Sequence, residues 1–447
     1  MAQNDNPRGL AFAFRALRAR NYKLFFAGQT TSLIGTWMTR LALSWLVYRL
    51  TKNAFLLGFV SFAGQIPGLV LGPFAGVWVD RWNRHHTLVW TQVLSMVQSF
   101  MLAGLTLSGH LQRVSGAVGM WEIILLSLLQ GAINSFDMPA RQAFVVEMIE
   151  DRDDLPNAIA LNSSMVNASR LVGPSIAGAV IAATNEGWCF FIDGVSYIAV
   201  IVSLLMMHVA HRERAARRAN VREEWFEGWR YVSSFLPMRM VLLLMALVSL
   251  VGFPYTVLMP IYASDILHGG AHTLGILMGA VGTGALISAG ALAFRRSVVG
   301  LGRVIPMTAG LFGAALIAFA YSRSLWLSLP LLVLTGFGMM QQMAASNTVL
   351  QTIVEEDKRG RVMSFYSMAF MGVAPFGSLA AGIAARHIGA PLTLAIGGGL
   401  CIVGAAWFST NLKAIRDHVR PIYRRLGILP EIASGIQAAS ALQRPPE

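Results

Sequence analysis

Twelve apolar stretches, each close to twenty residues long, alternate with polar connections along most of the chain. The hydrocarbon layer of a bilayer is about 30 Å thick, and a helix crosses it in about 20 residues with every backbone polar group satisfied inside the segment. The pattern therefore predicts an all-α integral membrane protein with twelve transmembrane helices. The predicted spans are 23–49, 54–79, 87–108, 120–140, 157–183, 188–209, 240–264, 273–294, 304–321, 325–350, 362–385 and 391–412.

The one long polar interruption separates six spans from six, and the two halves resemble each other weakly when shifted by about 205 residues. We predict two homologous six-helix bundles with a substrate site between them near mid-membrane. The residues that align are Gly131, Met138 and Ala140 with Gly336, Met343 and Ala345, and Gly173 and Gly178 with Gly377 and Gly382. The predicted segments are an N-terminal cytoplasmic segment at 1–22, bundles at 23–210 and 240–412, a central loop at 211–239 and a C-terminal tail at 413–447.

The central loop contains an amphipathic helical pattern. Trp225, Trp229, Val232 and Leu236 fall on one face of it. Such a face suits the membrane interface, where indole rings are favoured. A linker helix packed against the rest of the protein explains the same pattern, and both interpretations stay open.

The positive charge is distributed unevenly over the connections. The formal net charge is +13. With the boundary residues Lys23 and Arg49 counted as part of the adjoining polar segments, 28 of the 35 Lys and Arg residues fall in the termini and in every second connection, against 5 in the others and two within spans. By the positive-inside rule, both termini and the central loop lie in the cytoplasm. This distribution argues against nucleic-acid binding as the reason for the basic composition.

Several classes of function lack their sequence signatures. The nine histidines show no metal-ligand spacing, and no phosphate-binding GxxxxGK[ST] motif occurs, so we predict neither a metal site nor a cofactor nor an enzyme. Cys189 and Cys401 lie in different halves and are expected to be inert packing residues. The first 22 residues lack the cleavage site of a signal peptide, so we expect the first span to be retained.

The connection after the second span reads GPFAGVWVDRWNRHH. Gly76 is followed four residues later by Asp80 and Arg81, and then by Arg84. This order resembles the loop signature of the major facilitator superfamily, except that Asn83 and His85 replace a glycine and a basic residue of that signature. The resemblance implies a charged gate between helices at the cytoplasmic side.

The fourth span ends in QGAINSFDMPAR, with Asp137 and Arg141 one helical turn apart. The resemblance implies that Asp137 pairs with Arg84 and that opening of the cytoplasmic side breaks the contact. A static surface ion pair is the alternative, and such a pair contributes less than about 1 kcal/mol.

The fifth span contains SRLVGPSIAGAV, in which Gly173, Pro174 and Gly178 resemble the Gly-Pro signature of exporters of this superfamily. Plain helix packing by small residues is the alternative. Together, the segments ALSWLVYRLT, FDMPARQAF, ASRLVGPSIAG and EGWRYV resemble the efflux branch typified by the enterobactin exporter, the transmembrane secretion effectors. Ser127 stands where drug–proton antiporters usually carry an arginine, so proton coupling would need other residues.

Three ionisable residues within the predicted spans are candidates for charges buried in the membrane: Arg40, Arg170 and Asp193. A charge there costs at least about 2.5 kcal/mol, so such residues are by default candidates for a transport pathway. Asp193 is the candidate protonation site, with the arginines binding an anionic substrate or keeping Asp193 ionised; a permanent ion pair is the alternative. Uncharged candidates for the cavity or for helix contacts are Gln29, Asn134, Gln341 and Gln342.

These features, together with the resemblance to a bacterial efflux branch, predict a secondary active transporter of the bacterial inner membrane that works by alternating access, as a monomer in membrane lipid. We expect it to export an amphipathic small molecule, such as a siderophore or a drug, in exchange for protons. Translocation of a lysophospholipid or another lipid-like substrate is one alternative. A substrate-sensing receptor on a transporter scaffold is another, although the tail after Leu412 offers only 35 residues for signalling.

Overall fold

The computed structural model describes residues 14–113, 116–149, 152–207, 221–295 and 297–428. Within these ranges every regular element is a helix, and twelve long helices form the body of the protein. They are α1 (Arg20–Thr51), α2 (Ala54–Arg81), α3 (Arg84–Leu107), α4 (Gly116–Met148), α5 (Leu155–Ala183), α6 (Glu186–Leu205), α7 (Leu236–Ile266), α8 (Ala271–Ala293), α9 (Leu301–Tyr321), α10 (Leu325–Ile353), α11 (Glu356–Ile388) and α12 (Ala390–Thr410). Shorter helices span Arg15–Arg18, His110–Arg113, Arg152–Asp154, Val221–Ser234 and Leu412–Arg425.

Eleven of the long helices, α2 to α12, are long and apolar enough to cross a membrane. The exception is α1, whose 32 residues include Arg40 and Arg49. This helix packs against α5 and α6 inside the first bundle, where charged side chains can face protein or water rather than lipid. The architecture of twelve helices in two bundles predicted from the sequence is confirmed.

Consecutive helices are antiparallel because most connections are short. Lys52 adopts a left-handed conformation after α1, with φ of 49°, and the side chain of Asn53 then caps α2 by accepting a hydrogen bond from the Phe55 amide at 2.9 Å. We call the side with the α2–α3, α4–α5, α6–α7, α8–α9 and α10–α11 connections the arginine-rich end. The opposite side, with the α1–α2 and α7–α8 connections, is the far end.

Several helices extend beyond the predicted spans. The fourth span was expected to end at residue 140, but α4 continues through Pro139 to Met148 and has 33 residues. At about 1.5 Å per residue it is about 50 Å long, which exceeds the hydrocarbon thickness. Hydropathy marks the part of a helix that contacts lipid, and the polar turns that continue into water are missed.

The helices pack in the same way within each half. In the first half α2 packs on α4, and in the second α8 packs on α10. A Cβ on Gly131 of α4 would lie 2.4 Å from the Gly64 carbonyl oxygen, and one on Gly336 of α10 would lie 2.0 Å from the Val281 carbonyl oxygen. Glycines that align in sequence therefore make equivalent contacts, which supports the proposed internal repeat.

Helices α7 and α11 each contain wider π-helical turns. These turns span Val248–Gly252 and Tyr262–Ile266 in α7, and Met368–Gly372 in α11. The Ser249 hydroxyl of one donates a hydrogen bond of 2.5 Å to the Phe370 carbonyl of the other. The two irregular segments are thus adjacent and share a hydrogen bond.

The linker helix Val221–Ser234 packs on the start of α11. The Trp229 ring lies 6.0 Å from the Phe365 ring, and Arg361 forms an ion pair of 2.8 Å with Glu227. Val232 is buried while Trp229 is half-exposed, and the side chain of Trp225 lies outside the described part. The packed-linker interpretation accounts for these contacts.

The described parts of both termini lie at the arginine-rich end. Arg15 forms an ion pair of 2.9 Å with Asp154 in the α4–α5 connection. The tail helix Leu412–Arg425 places His418 6.2 Å from Phe235, next to the start of α7. Residues 1–13 and 429–447, which belong to the predicted terminal segments, lie outside the described residues.

Candidate transport pathway

Two backbone contacts join the bundles at the far end. A Cβ on Gly382 of α11 would lie 2.8 Å from the Ala54 carbonyl oxygen and 2.9 Å from the Gly58 Cα of α2. A Cβ on Gly178 of α5 would likewise lie 2.9 Å from both the Ala271 carbonyl oxygen and the Gly275 Cα of α8. In each contact a glycine packs against an alanine and a glycine four residues apart, so two contacts of the same kind close the far end.

A polar cluster reinforces this closure, and we call it the far-end latch. The Tyr48 hydroxyl of α1 donates a short hydrogen bond to the Asp265 carboxylate of α7. The Lys52 ammonium lies 2.7 Å from the Ser264 hydroxyl and 3.4 Å from Asp265. Sequence reasoning missed this cluster, because residues more than 200 positions apart showed no local signal of pairing.

The latch yields the first prediction. Asp265→Asn removes the negative charge that Tyr48 and Lys52 share, so the far end should open more often. A hydrogen bond or partly exposed ion pair contributes about 0.5–1.5 kcal/mol, which corresponds to a three- to tenfold change in the closed population. Thr51 of α1 and Arg386 of α11 line one depression at the far end. Double electron–electron resonance between spin labels at these two positions measures the closed population.

Those labels require a background in which Cys189 and Cys401 are replaced by alanine. The matched control is Asp417→Asn, the same change at an exposed position of the tail helix. A distance distribution for Asp265→Asn that equals that of the parent protein would rule out a role of the latch in closure.

The arginine-rich end of α2 lacks such contacts. Gly76 follows Gly58 by 18 residues, which is five helical turns, so both glycines lie on one face of α2. Gly58 touches α11, whereas Gly68, Gly72 and Gly76 have no atom of another element within 4 Å of an added Cβ in the described part of the chain. The space between the bundles is thus closed at the far end and open along this face toward the arginine-rich end.

Asp193 of α6 is 1% exposed and is held by hydroxyl groups. One carboxylate oxygen accepts hydrogen bonds from the Thr39 hydroxyl at 2.8 Å and the Ser99 hydroxyl at 2.9 Å. The other oxygen is buried without a hydrogen-bond partner among the described residues, in the room left by Gly35. The predicted neighbours Arg40 and Arg170 form no ion pair with it within 4 Å.

Arg40 and Arg170 meet at a tryptophan instead. The guanidinium carbon of Arg40 lies 4.8 Å from the centre of the Trp37 ring, and that of Arg170 lies 5.6 Å from it. Arg40 lies deep inside the protein, but its side chain is accessible to water. This combination is expected of a side chain that lines an internal cavity. Trp37 was not singled out from the sequence, although its spacing of three residues from Arg40 is a signal for a shared helix face.

The uncharged candidates divide into two groups. Asn134 is exposed and accepts a hydrogen bond of 3.2 Å from Gln130. Gln29, Gln341 and Gln342 are buried, and Gln341 accepts a hydrogen bond of 2.8 Å from Ser288 of α8. In this conformation the buried glutamines fit helix-to-helix contacts, and Asn134 alone of the four faces open space.

The gate motif makes a different set of contacts from the one expected. Asp137 is bonded by Arg141 on its own helix and accepts hydrogen bonds from Thr91 at 2.9 Å and Gln92 at 2.6 Å. Asp137 does not pair with Arg84 in this conformation, in which the arginine-rich end is open and the contact is expected to be broken; Arg84 instead forms an ion pair of 2.6 Å with Glu147.

The positions of the residues along their helices explain why Arg84 pairs with Glu147 rather than with Asp137. Arg84 begins α3 and Glu147 lies near the last residue of α4, so both stand at the helix ends, whereas Asp137 lies ten residues deeper in α4. Arg81 is exposed, and the side chain of Asp80 lies outside the described part of the chain.

The Gly-Pro segment of α5 contacts both bundles. A Cβ on Gly173 would lie 2.6 Å from the Trp37 Cβ of α1, and the Pro174 carbonyl oxygen lies 2.8 Å from where a Cβ on Gly275 of α8 would be. The helix continues through Pro174 from Leu155 to Ala183. The segment therefore links the arginine–tryptophan cluster to the closed contact between α5 and α8.

Twelve long helices in two bundles, a charged interior and a space between the bundles that is closed at one end are features of a membrane transporter. Residues 11–423 match the family model of the transmembrane secretion effectors, a group of major facilitator transporters. The chain belongs to this family, and the resemblance found in its motifs is confirmed. No group of three potential metal ligands occurs among the described residues.

Several characterised transporters are similar to the chain over most of its length. The staphyloferrin A transporter of Staphylococcus aureus (strain NCTC 8325 / PS 47) is 26% identical over 392 residues, which cover 86% of this chain and 95% of the relative. The multidrug efflux pump Tap of Mycolicibacterium fortuitum is 26% identical, covering 80% of this chain and 87% of the pump. The crystal structure of the nucleoside transporter NupG shares the fold, with a TM-score of 0.64 at 15% identity, covering 88% of this chain and 98% of that one.

Proposed function

We propose that this transporter is a proton-coupled exporter of an amphipathic small molecule, such as a siderophore or a drug, and that it works by alternating access. The observation that carries the proposal is the asymmetry of α2, which contacts α11 at Gly58 but has an open face at Gly76. One end of the space between the bundles is closed while the other is open, and a pathway of this shape suits loading from one side only.

The multidrug efflux pump Tap supports the export direction, and the staphyloferrin A transporter supports a siderophore as one class of substrate. The staphyloferrin A transporter and the Tap efflux pump each match this chain over at least 80% of its length. Together with the positive-inside rule, they favour an inner-membrane protein whose arginine-rich end and both termini face the cytoplasm. The open cavity would then load from the cytoplasm, and the far end would release the substrate outside.

Asp193 is the proposed site of proton coupling. Hydroxyl groups can donate to a carboxylate or accept from a carboxylic acid, so Thr39 and Ser99 can accommodate both protonation states. An arginine partner within 4 Å would hold the group ionised, and Asp193 has none among the described residues. Position 127, where related antiporters carry an arginine, is a serine whose hydroxyl bonds to the Ile123 carbonyl.

The gate motif has a proposed role in the opposite conformation. Closing the arginine-rich end would bring the glycine-lined face of α2 toward the start of α11. Arg81 and Asp80 lie at that end of α2, and the Asp137–Arg141 pair lies on the neighbouring α4. We assign closure of this end to the residues Gly76, Asp80, Arg81, Arg84, Asp137 and Arg141, and the fit between α5 and α8 during export to Gly173, Pro174 and Gly178.

The proposal is tested by measuring accumulation in cells with and without the protein. The compounds are a catecholate siderophore, a hydroxycarboxylate siderophore, the dye rhodamine 6G and a fluorescent lysophospholipid. We expect lower accumulation of at least one siderophore or dye, and loss of the difference when the proton gradient is collapsed. Movement of the lysophospholipid alone would support the lipid-translocator alternative, and an unchanged level of all four compounds would overturn export.

A further inference from the structure

Two cations share one aromatic ring in the interior of the first bundle. Arg40 comes from α1 and Arg170 from α5, and both guanidinium groups lie within 6 Å of the centre of the Trp37 ring. The negative face of an indole attracts each cation, so the ring offsets part of the repulsion between them. Trp37 therefore holds two positive charges close together at a defined place.

These charges have no counterion at hand. No carboxylate among the described residues lies within 4 Å of either guanidinium, and Asp193 is engaged by Thr39 and Ser99. Two unpaired cations enclosed by protein are unfavourable unless water or an anion compensates them. Because Arg40 is exposed to the interior space, an anion from the cavity can reach it.

The other bundle contributes a third group. Tyr255 of α7 is 0% exposed, its hydroxyl makes no hydrogen bond of normal geometry among the described residues, and it is close enough to Arg170 to interact with the guanidinium group. Buried polar groups normally have a partner, so this hydroxyl is available to a polar group of a ligand once the Arg170 side chain moves to bind that ligand. The hydroxyl belongs to the second bundle and Arg170 to the first, so the two groups face each other across the boundary between the bundles.

We propose that Arg40, Arg170 and Tyr255 bind a carboxylate of the transported molecule, with Trp37 holding the two guanidinium groups in place. This inference rests on the proposed export function and specifies its substrate class as carboxylate-bearing amphipaths. Arginine suits the task because its planar fork of donors matches a carboxylate. Arg40 precedes Tyr48 by eight residues in α1, so the site lies about 12 Å from the far-end latch.

The position of Tyr255 gives the site a mechanical consequence. When the far end opens, α7 moves away from α1 and α5, and Tyr255 leaves the anion that the arginines hold. The site is complete only while the far end is closed. A carboxylate therefore binds tightly in the loading conformation and weakly in the releasing one, which is the difference in affinity that export requires.

Equilibrium binding to the purified full-length protein tests this site without relying on transport. The probes are 5-carboxyfluorescein, an anionic xanthene dye, and rhodamine 6G, a cationic dye with the same ring system, both followed by fluorescence anisotropy. We expect tighter binding of the anionic dye to the parent protein. Arg40→Gln and Arg170→Gln should each weaken it about ten- to a hundredfold, and Arg170→Lys should weaken it less because the charge remains.

Tyr255→Phe isolates the contribution of the second bundle. It should weaken binding of the anionic dye about three- to tenfold, as expected for one hydrogen bond. The matched controls are Tyr262→Phe, which removes a hydroxyl bonded to the Ala320 carbonyl within the second bundle, and Arg303→Gln at an exposed position. Neither control should change the affinity, and a melting curve identifies any variant that has lost its fold.

The outcomes separate the two proposals. If the anionic dye binds no better than the cationic dye, or if Arg40→Gln and Arg170→Gln both bind it like the parent while melting normally, the carboxylate site is refuted even when cells export other compounds. Arginine-dependent binding in a protein that exports nothing from the panel would uphold the site and refute the exporter.

Discussion

Asp193→Asn is expected to reduce efflux driven by a pH gradient at least a hundredfold, to about the level of protein-free vesicles. Asparagine has nearly the same shape and can accept the hydrogen bonds from Thr39 and Ser99, but it cannot take up or release a proton. The variant should therefore fold and bind substrate while the coupling is lost. Proteoliposomes with an imposed pH gradient and the exported compound inside measure the rate.

Exchange of labelled for unlabelled substrate across the same vesicles separates coupling from movement. This exchange needs no net proton flux, so Asp193→Asn should retain it. Glu122→Gln serves as the matched control, because Glu122 lies near the far-end connection and contacts His110 at 3.0 Å. Undiminished gradient-driven efflux by Asp193→Asn would remove this residue from the coupling mechanism.

Gly382→Val should prevent the far end from closing. The new Cβ would lie within 3.0 Å of the Ala54 carbonyl oxygen and the Gly58 Cα. Both are backbone atoms of α2, so they cannot turn aside as a side chain would, and α11 must move away. Overpacking of this kind costs about 1–3 kcal/mol, which shifts the balance of conformations by about ten- to a hundredfold.

Two measurements test the expected effect of Gly382→Val. The distance between labels at Thr51 and Arg386 should lengthen by several ångströms, and the transport rate should fall at least about tenfold, since the cycle stalls in one conformation. Gly178→Val should act alike at the second contact, where the Gly275 Cα is equally close. Gly399→Val on α12, where an added Cβ meets no atom within 4 Å, controls for valine in a membrane helix. A parental distance and rate in Gly382→Val would show that this contact does not control closure.

The sequence predicted the fold because lipid imposes strong rules on composition. Stretches of about twenty apolar residues indicate the number of helices without any knowledge of contacts. The alternation of basic connections predicts on which side of the membrane each connection lies. The repeat, visible as Gly178 aligned with Gly382, indicated positions that the structure places at equivalent contacts between bundles. Helix ends were predicted less well, as α4 shows, because they lie in water.

The partners of individual charges were harder to predict. Asp193 was expected near Arg40 or Arg170, but the hydroxyls of Thr39 and Ser99 reach it first. Spacing along one helix indicated the Asp137–Arg141 pair, whereas the Arg84–Glu147 and Tyr48–Asp265 contacts join different helices. Hydropathy and spacing describe single helices, and the rotation of each helix against its neighbours is decided by packing.

The paired π-helical turns of α7 and α11 make the two repeats mechanically unequal. A π-helical turn interrupts the regular ladder of backbone hydrogen bonds, and such turns often coincide with functional sites. Their counterparts in the first half, α1 and α5, are continuous α-helices of 32 and 29 residues. We therefore expect the first bundle to move as a rigid body during transport. In the second bundle, we expect α7 and α11 to bend near Ser249 and Phe370. Among the described residues, π-helical turns occur in the second half alone, so the two halves share an order of helices but differ in where their helices can bend.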